Sequence, residues 1–316
     1  MPDIFGPVPG RNREKACALC GTLAPEIFRQ LVVAKHNAAY YRCPSCDLIQ
    51  MDEPVWFAEF PWTRIAPLDT GAVSRSIKCA DLVAAILGVL EMDPDAPGYD
   101  MGGGNGLFVR LMRDRGYNFL WHDLYAQNVH ATGFLANPDA AYNCVACFEV
   151  FEHLPNVNEV LSDLFTKDHQ LIVVSTVLHR GDNRPDWYYY HPDIGGHVSF
   201  YSRRTMAYLG ERFGYNVASS PDFTVFVKGS VSAAQRRVLT RMLTDPAFVP
   251  VVAKRLPVVP SLVSSDFDRL APTILPHLGA RAIKRREHQA VSSTSLRIAA
   301  LLARLPNRRP FSWLLR

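Results

Sequence analysis

The chain reads as an α/β protein: an open, largely parallel sheet, preceded by a small cysteine-bearing module and followed by a basic helical tail. Three observations predict it. Gly98-Tyr99-Asp100-Met101 runs into Gly102-Gly103-Gly104-Asn105-Gly106 and then a helix-type run over 107–115, which together make a strand, a glycine turn and a helix start. Strand-type runs recur at 116–123, 143–148 and 171–176. Two Cys-x2-Cys pairs, Cys17/Cys20 and Cys43/Cys46, stand near the N-terminus.

At 316 residues the length suggests about two domains, and a hydrophobic content of 48% supplies a core. No run of about 18 apolar residues predicts a transmembrane helix, and the opening MPDIFGPVPGRNREK has no apolar signal core. A cytoplasmic protein is therefore expected. Residues 1–229 hold 19 Lys/Arg against 26 Asp/Glu, whereas 230–316 hold 15 against 4. This reversal of sign places a boundary near Gly229. The expected organisation is a cysteine module and linker over 1–66, a central α/β domain over 67–229 and a basic, mainly helical tail over 230–316.

The cysteine module comes first in the chain. Each pair can wrap two thiolates around one ion, and two pairs 22 residues apart complete a tetrahedral S4 site. Gly21 suits the tight turn after the first pair. In a reducing compartment metal binding is expected over disulfides. Cys17, Cys20, Cys43 and Cys46 are thus the expected ligands of one structural zinc, with no open position for catalysis. The competing reading is two unrelated thiol pairs in a core. Trp56, Phe57 and Trp62 mark the linker that follows.

In the glycine turn, the glycines at 102, 104 and 106 alternate, and an acid, Asp100, stands two residues before the first. A nicotinamide fingerprint requires G-x-G-x-x-G, and that frame counted from Gly102 puts Leu107 where the third glycine belongs. The acid-x-G-x-G-x-G spacing resembles motif I of the class I S-adenosylmethionine-dependent methyltransferases. In that family the glycines let the backbone approach the amino-acid end of the cofactor, because no Cβ intervenes. The acid binds the cofactor's ammonium group directly or through water. Asp123, 17 residues after Gly106, ends the second strand, where an acid can accept both ribose hydroxyls across the carboxyl edge of the sheet.

Glu149-Val150-Phe151-Glu152-His153-Leu154 follows the run 143–148 and resembles the E-x-x-E-H-L stretch of many small-molecule methyltransferases. Residues 171–176 then correspond to a fifth strand, and His197-Val198-Ser199-Phe200-Tyr201-Ser202 to the lead into the last helix. Residues 214–217 and 223–227 correspond to the closing antiparallel pair. The resemblance covers about residues 70–228 and implies a Rossmann-like, seven-stranded methyltransferase sheet. It also implies S-adenosylmethionine as cofactor, bound by Asp100, Gly102, Gly104, Gly106, Asp123 and Glu149. A zinc module before such a domain further resembles the sugar C-methyltransferases of deoxysugar pathways. Those enzymes usually carry a further α/β domain after the catalytic one, where this chain has its basic tail.

Glu149, Glu152 and His153 stand at i, i+3 and i+4, and share one face if the segment is helical. Likeness to ubiquinone-pathway O-methyltransferases suggests a divalent cation held by these three residues, lowering the pKa of a hydroxyl. The plainer reading sets Glu149 beside the cofactor and gives His153 general-base or orienting work. A third reading is a helix start whose acids complement the macrodipole. The segment 187–197 gathers aromatics, His191, His197 and a Gly pair, giving a hinge and a wall over a substrate. His197 stands in a stretch that resembles the family's G-x-H-x-x-F-x-S, which places it at the cleft mouth. The expected catalytic residues are His153, His197 and Glu152, with Tyr188, Tyr189 or Tyr190 as the alternative. Cys144 and Cys147 repeat the C-x2-C spacing but sit in a strand-type run as small apolar residues.

In the tail, Arg281-Ala282-Ile283-Lys284-Arg285-Arg286 precedes an apolar stretch over 295–305 bordered by arginines. Such a helix can lie on an anionic membrane surface or pack on the domain. Nucleic acid is not an expected partner, because aromatics are not interleaved with the basic residues. The chain as a whole predicts methyl transfer to an O, N or C atom of a small molecule or glycan intermediate, in the cytoplasm or at the inner membrane surface. The rival is a cofactor-binding scaffold of the same fold without turnover.

Overall fold

The computed structural model describes residues 13–57, 69–181 and 184–274. The chain divides into two compact units. One draws on Met1–Pro61, Phe148–Lys167 and Val174–Phe226, the other on Trp62–Cys147, Asp168–Val173 and Val227–Arg316.

In the first unit, β1 (Glu14–Ala16), β2 (Leu23–Val32), β3 (His36–Arg42) and β4 (Ile49–Met51) pair in antiparallel succession. The fifth strand of this sheet is β9 (Ser199–Phe200), which pairs Phe200 with Ile49 and Ser199 with Gln50. One cluster buries Val32, Tyr40, Ile49 and Met51 together with Trp56, Tyr189, Tyr190 and Phe200. Tyr40 stacks on Phe28 at 4.5 Å and meets Tyr190 edge-on at 5.0 Å. Each buried aromatic removes on the order of 150–250 Å² from water, so this cluster anchors the 187–200 segment more firmly than two strand residues could. The unit also holds α3 (Val157–Thr166) and α4 (Arg203–Phe213). Helix α4 opens on a capping box, in which Ser202 Oγ accepts from Thr205 N–H at 3.2 Å and Thr205 Oγ1 from Ser202 N–H at 3.1 Å.

The second unit begins with α1 (Ala72–Val89), β5 (Gly98–Met101), α2 (Leu107–Asp114) and β6 (Phe119–His122). Strand β5 pairs in parallel with β6 on one side and with β7 (Cys144–Phe148) on the other. Cys144 and Cys147 are buried within β7 as small apolar residues. With β8 (Leu171–Ser175), β10 (Tyr215–Ser219) and β11 (Phe223–Lys228), the strand order is β10-β11-β8-β7-β5-β6. The mixed sheet that the resemblance implies thus has six strands among the described residues rather than seven. Beside β6, Leu135 makes only a single parallel bridge with Trp121. Leu135 is exposed, so nothing buries a longer strand there.

Both compact units are discontinuous in sequence. Strand β9 and the segment before it join the N-terminal sheet. Helices α5 (Ala233–Thr244), α6 (Phe248–Ala253) and α7 (Val263–Ile274) belong with α1 and α2. Gln235 Nε2 donates to the Val89 carbonyl at 3.1 Å, and buried Arg113 holds Asp266 through bonds of 2.6 and 2.8 Å. The basic run 281–286, the stretch 295–305 and Trp62 lie outside the described residues. No helix among the described residues is long and apolar enough to cross a membrane.

Candidate active site

Strand β5 ends at Met101 and the chain turns back through Gly102 (φ +75°), Gly104 (φ +52°) and Gly106 (φ +83°), the last of which precedes α2. Gly103, which the alternating pattern did not single out, is fixed by space. A Cβ there would lie 2.6 Å from Asp100 Oδ2 and 2.7 Å from Trp121 Cδ1. At Gly104 a Cβ would meet nothing within 4 Å, so the turn presents bare backbone to open space at that point.

Asp100 is 2% exposed, and its Oδ2 is buried without a hydrogen-bond partner among the described residues. Burial, and then the charge of Asp123, push its carboxyl up to about 8. A cation placed on that oxygen would relieve both effects. Asp123 follows β6 directly. Its Oδ1 accepts from Tyr125 and Ala126 N–H at 2.7 Å each, and its Oδ2 from Gly104 N–H at 2.9 Å. Of about four lone-pair positions on a carboxylate, three are thus in use and one is left for a ligand hydroxyl. Asp123 therefore clamps the glycine turn, and the expected pair of ribose hydroxyls finds one place without rearrangement. Trp121 Nε1–H, donating to the Gly104 carbonyl at 2.9 Å, is a second clamp. An orphaned buried carboxylate oxygen, a remaining acceptor on Asp123 and a backbone cradle at Gly104 fit the ammonium, ribose and amino-acid backbone of S-adenosylmethionine.

The segment after β7 is not the helix that would put Glu149, Glu152 and His153 on one face. Glu149 is left-handed (φ +55°), and only Phe151–His153 forms a short 3-10 turn. Glu149 Oε1 accepts from Ser175 Oγ–H at 2.6 Å, and its N–H reaches the Ser175 carbonyl at 3.1 Å. The residues brought together instead are Glu152, His153 and His197, with one potential ligand atom of each lying within 4.8 Å of the others. His153 Nδ1–H donates to the Gly196 carbonyl at 2.8 Å, and His197 Nδ1–H to the Tyr189 carbonyl at 2.7 Å. In both rings the lone pair therefore sits on Nε2. Tyr189 O–H donates to Glu152 Oε1 at 2.5 Å, whereas Glu152 Oε2 is buried without a hydrogen-bond partner among the described residues.

Burial, reinforced by Glu149, pushes the Glu152 carboxyl up to about 8. Burial pushes His153 down, and burial together with His153 pushes His197 down to about 3. The cluster is therefore uncharged near neutrality, and His153 is the better proton acceptor of the two imidazoles. Tyr189 is the residue of this group that the sequence left among three alternatives. Its burial separates it from Tyr188, which is 65% exposed, and its bond to Glu152 from the likewise buried Tyr190.

The four N-terminal cysteines converge. Cys17 Sγ lies 3.5 Å from Cys46 Sγ, and Cys20 Sγ 3.4 Å from Cys43 Sγ. Those separations exceed a disulfide bond and approach the edge of about 3.8 Å that a tetrahedron of ~2.3 Å Zn–S bonds requires. The two turns share one hydrogen-bond pattern. Gly21 N–H returns to the Cys17 carbonyl at 2.9 Å and Asp47 N–H to the Cys43 carbonyl at 3.0 Å. Gly21 (φ +76°) fills its turn as expected, whereas Asp47 (φ +67°) adopts the same geometry with its carboxylate held by Arg42 Nε–H at 2.7 Å.

Residues 75–220 match a family model described as a methyltransferase domain. The fold is similar to the methyltransferase domain of bacterial CtHen1-C, at 19% identity over 49% of this chain and 98% of that one, with a TM-score of 0.35. It is also similar to magnesium protoporphyrin IX methyltransferase from Synechocystis PCC 6803 with bound SAH (16% identity, 48% and 83% covered, TM-score 0.36). A third likeness is to an O-methyltransferase family protein from Burkholderia thailandensis (14% identity, 53% and 58% covered, TM-score 0.39). No curated protein matches the chain. The match marks residues 75–220 as a methyltransferase domain.

Proposed function

We propose that the enzyme methylates a small molecule or glycan intermediate, with the cofactor on the glycine turn and the acceptor at the Glu152/His153/His197 cluster. The glycine turn follows the carboxyl end of β5, the edge where open α/β sheets bind ligands. When bound, S-adenosylmethionine supplies a methyl group on an already electrophilic sulfonium. Asp100 holds the ammonium group, Asp123 a ribose hydroxyl, and Glu149 borders the cofactor. His153 Nε2 receives the acceptor's proton, because its Nδ1–H is committed to Gly196. His197 and Glu152 orient the acceptor. The observation that carries this reading is the convergence of two imidazoles of fixed tautomer on one buried carboxylate.

A methyl-transfer assay tests it. His153→Ala should lower turnover by about 10²–10⁴-fold, and His197→Ala by less, while S-adenosylhomocysteine affinity by calorimetry stays within about twofold. Full activity in both variants would move the chemistry elsewhere. In this reading residues 1–66 form the zinc module and linker, 67–229 the catalytic domain and 230–316 the tail. Cys17, Cys20, Cys43 and Cys46 hold about one zinc per chain, and Cys43→Ser should release it.

The orphaned Glu152 Oε2 favours a second reading. Two imidazoles and one carboxylate are the donor set of an open divalent site. A cation would then be held by Glu152, His153 and His197, not by the expected Glu149, Glu152 and His153, and would lower the pKa of an acceptor hydroxyl. Nitrogen donors suit Mn²⁺ or Co²⁺ better than Mg²⁺. Loss of transfer on chelation that Mn²⁺ alone restores supports the cation, and loss that only Zn²⁺ restores supports the base.

A further inference from the structure

The segment 187–200 supplies Tyr189 to Glu152, the Tyr189 carbonyl to His197, and the Gly196 carbonyl to His153. It therefore decides the tautomer of both imidazoles. Its own position comes from the N-terminal sheet. Val33 N–H donates to the Pro192 carbonyl at 2.8 Å, Trp56 Nε1–H to the Gly195 carbonyl at 2.8 Å, and Met51 N–H to the Val198 carbonyl at 3.1 Å. Strand β9 then pairs with β4. The fit is tight, since a Cβ on Gly195 (φ +72°) would lie 2.9 Å from both Trp56 Nε1 and Val33 Cγ1.

Strand β4 is set in turn by the cysteine turns. It begins at Ile49, just after Cys46, and Cys43 N–H donates to the Leu48 carbonyl at 2.9 Å. Buried Gln50 accepts from Ala18 N–H at 2.6 Å and donates to the Ala16 carbonyl at 2.9 Å, which fastens the first cysteine turn to the same strand. A metal held by these four sulfurs would make binding free energy and local folding one quantity there.

We propose that the four-cysteine module is the template of the acceptor site. The metal orders the cysteine turns, the turns set β4, β4 and Trp56 set the 187–200 segment, and that segment sets His153 and His197. Loss of the metal therefore disables the acceptor end and leaves the cofactor loop intact. Trp56 and Gln50 are positioning residues. The proposal rests on the zinc reading and on the assignment of the histidine cluster to the acceptor.

The test uses the full chain below its melting temperature. The Nδ1–H protons of His153 and His197 should give two slowly exchanging imidazole signals in nuclear magnetic resonance, assigned by His197→Gln. Zinc stripped with a chelator should speed their exchange with water by about tenfold or more, and Trp56→Phe, which keeps the ring but removes the donor, by about tenfold. S-adenosylhomocysteine affinity should stay within about twofold throughout. If the stripped protein unfolds, Trp56→Phe and Gly195→Ala carry the test. Unchanged exchange in both variants overturns the proposal. So does a loss of S-adenosylhomocysteine affinity in Trp56→Phe, because the module would then support the whole molecule. A wild-type protein that binds no zinc overturns the metal's part. A wild-type protein that binds zinc but no S-adenosylhomocysteine refutes the cofactor assignment alone, and the imidazole signals still decide the template.

Discussion

The glycine turn and the histidine cluster are built by opposite means. The turn occupies one short stretch, presents backbone to its ligand and is clamped by Asp123 and Trp121 from the next strand. The cluster takes side chains from residues 152–153 and 189–197 and depends on carbonyls that the N-terminal sheet holds in place. One is conformationally local, the other a product of packing. A local site fails when a single Cβ enters it, and a packed site fails when its support moves. The effects of substitution should differ accordingly.

The largest effect is expected at Gly104. Gly104→Val meets no protein atom with its Cβ, so the fold should survive a left-handed strain of about 1–2 kcal/mol. S-adenosylhomocysteine affinity should nonetheless fall by roughly 100-fold or more, about 2.7 kcal/mol, because the added atoms fill the cradle. Wild-type affinity in a folded Gly104→Val protein would break the contrast at its strongest point.

A smaller effect concerns Asp100. Its carboxyl, raised to about 8, is protonated in the ligand-free protein at neutral pH, and a bound ammonium requires it ionised. Cofactor affinity should therefore fall towards tenfold per unit as pH drops below about 8, with proton release on binding seen as a buffer-dependent heat. Asp100→Asn should bind weakly and without that slope. For the ligand-free fold the sign is opposite. The raised pKa makes protonation part of folding, so that contribution is present at low pH and is lost as pH rises through about 8.

The smallest effect tests a feature as local as the turn but remote from chemistry. Ser202→Ala removes the capping box of α4 and should cost about 1 kcal/mol in urea unfolding, with histidine exchange unchanged. Faster exchange of the two imidazole protons would show that α4 also supports the cluster.

These differences track what could be read before the fold was seen. Asp100, the alternating glycines, Asp123 and the two cysteine pairs stood out because turn geometry and metal coordination impose fixed spacings on neighbouring residues. Gly103 did not stand out, since its constraint comes from Asp100 and Trp121 folding back onto it. The i, i+3, i+4 pattern of Glu149, Glu152 and His153 misled in one respect. It presumes a helix, whereas the left-handed Glu149 turns its carboxylate onto Ser175. The strand character of Ser199–Phe200 was also illegible, because two residues become a strand only when β4 lies beside them.

The sequence by itself determined the α/β class, the order of β5, β6, β7 and β8 along the chain, the glycine turn and the pairing of the four cysteines. Each rests on backbone conformation or ligand spacing within a few residues, which short-range sterics settle. Tertiary structure alone decided that Glu149 turns onto Ser175 while His153 and His197 meet Glu152, that Tyr189 is the tyrosine bonded to Glu152, and that the N-terminal sheet holds the 187–200 segment. Those outcomes depend on buried aromatic area and on which carbonyl faces which imidazole. Both exist only once distant parts of the chain are packed together.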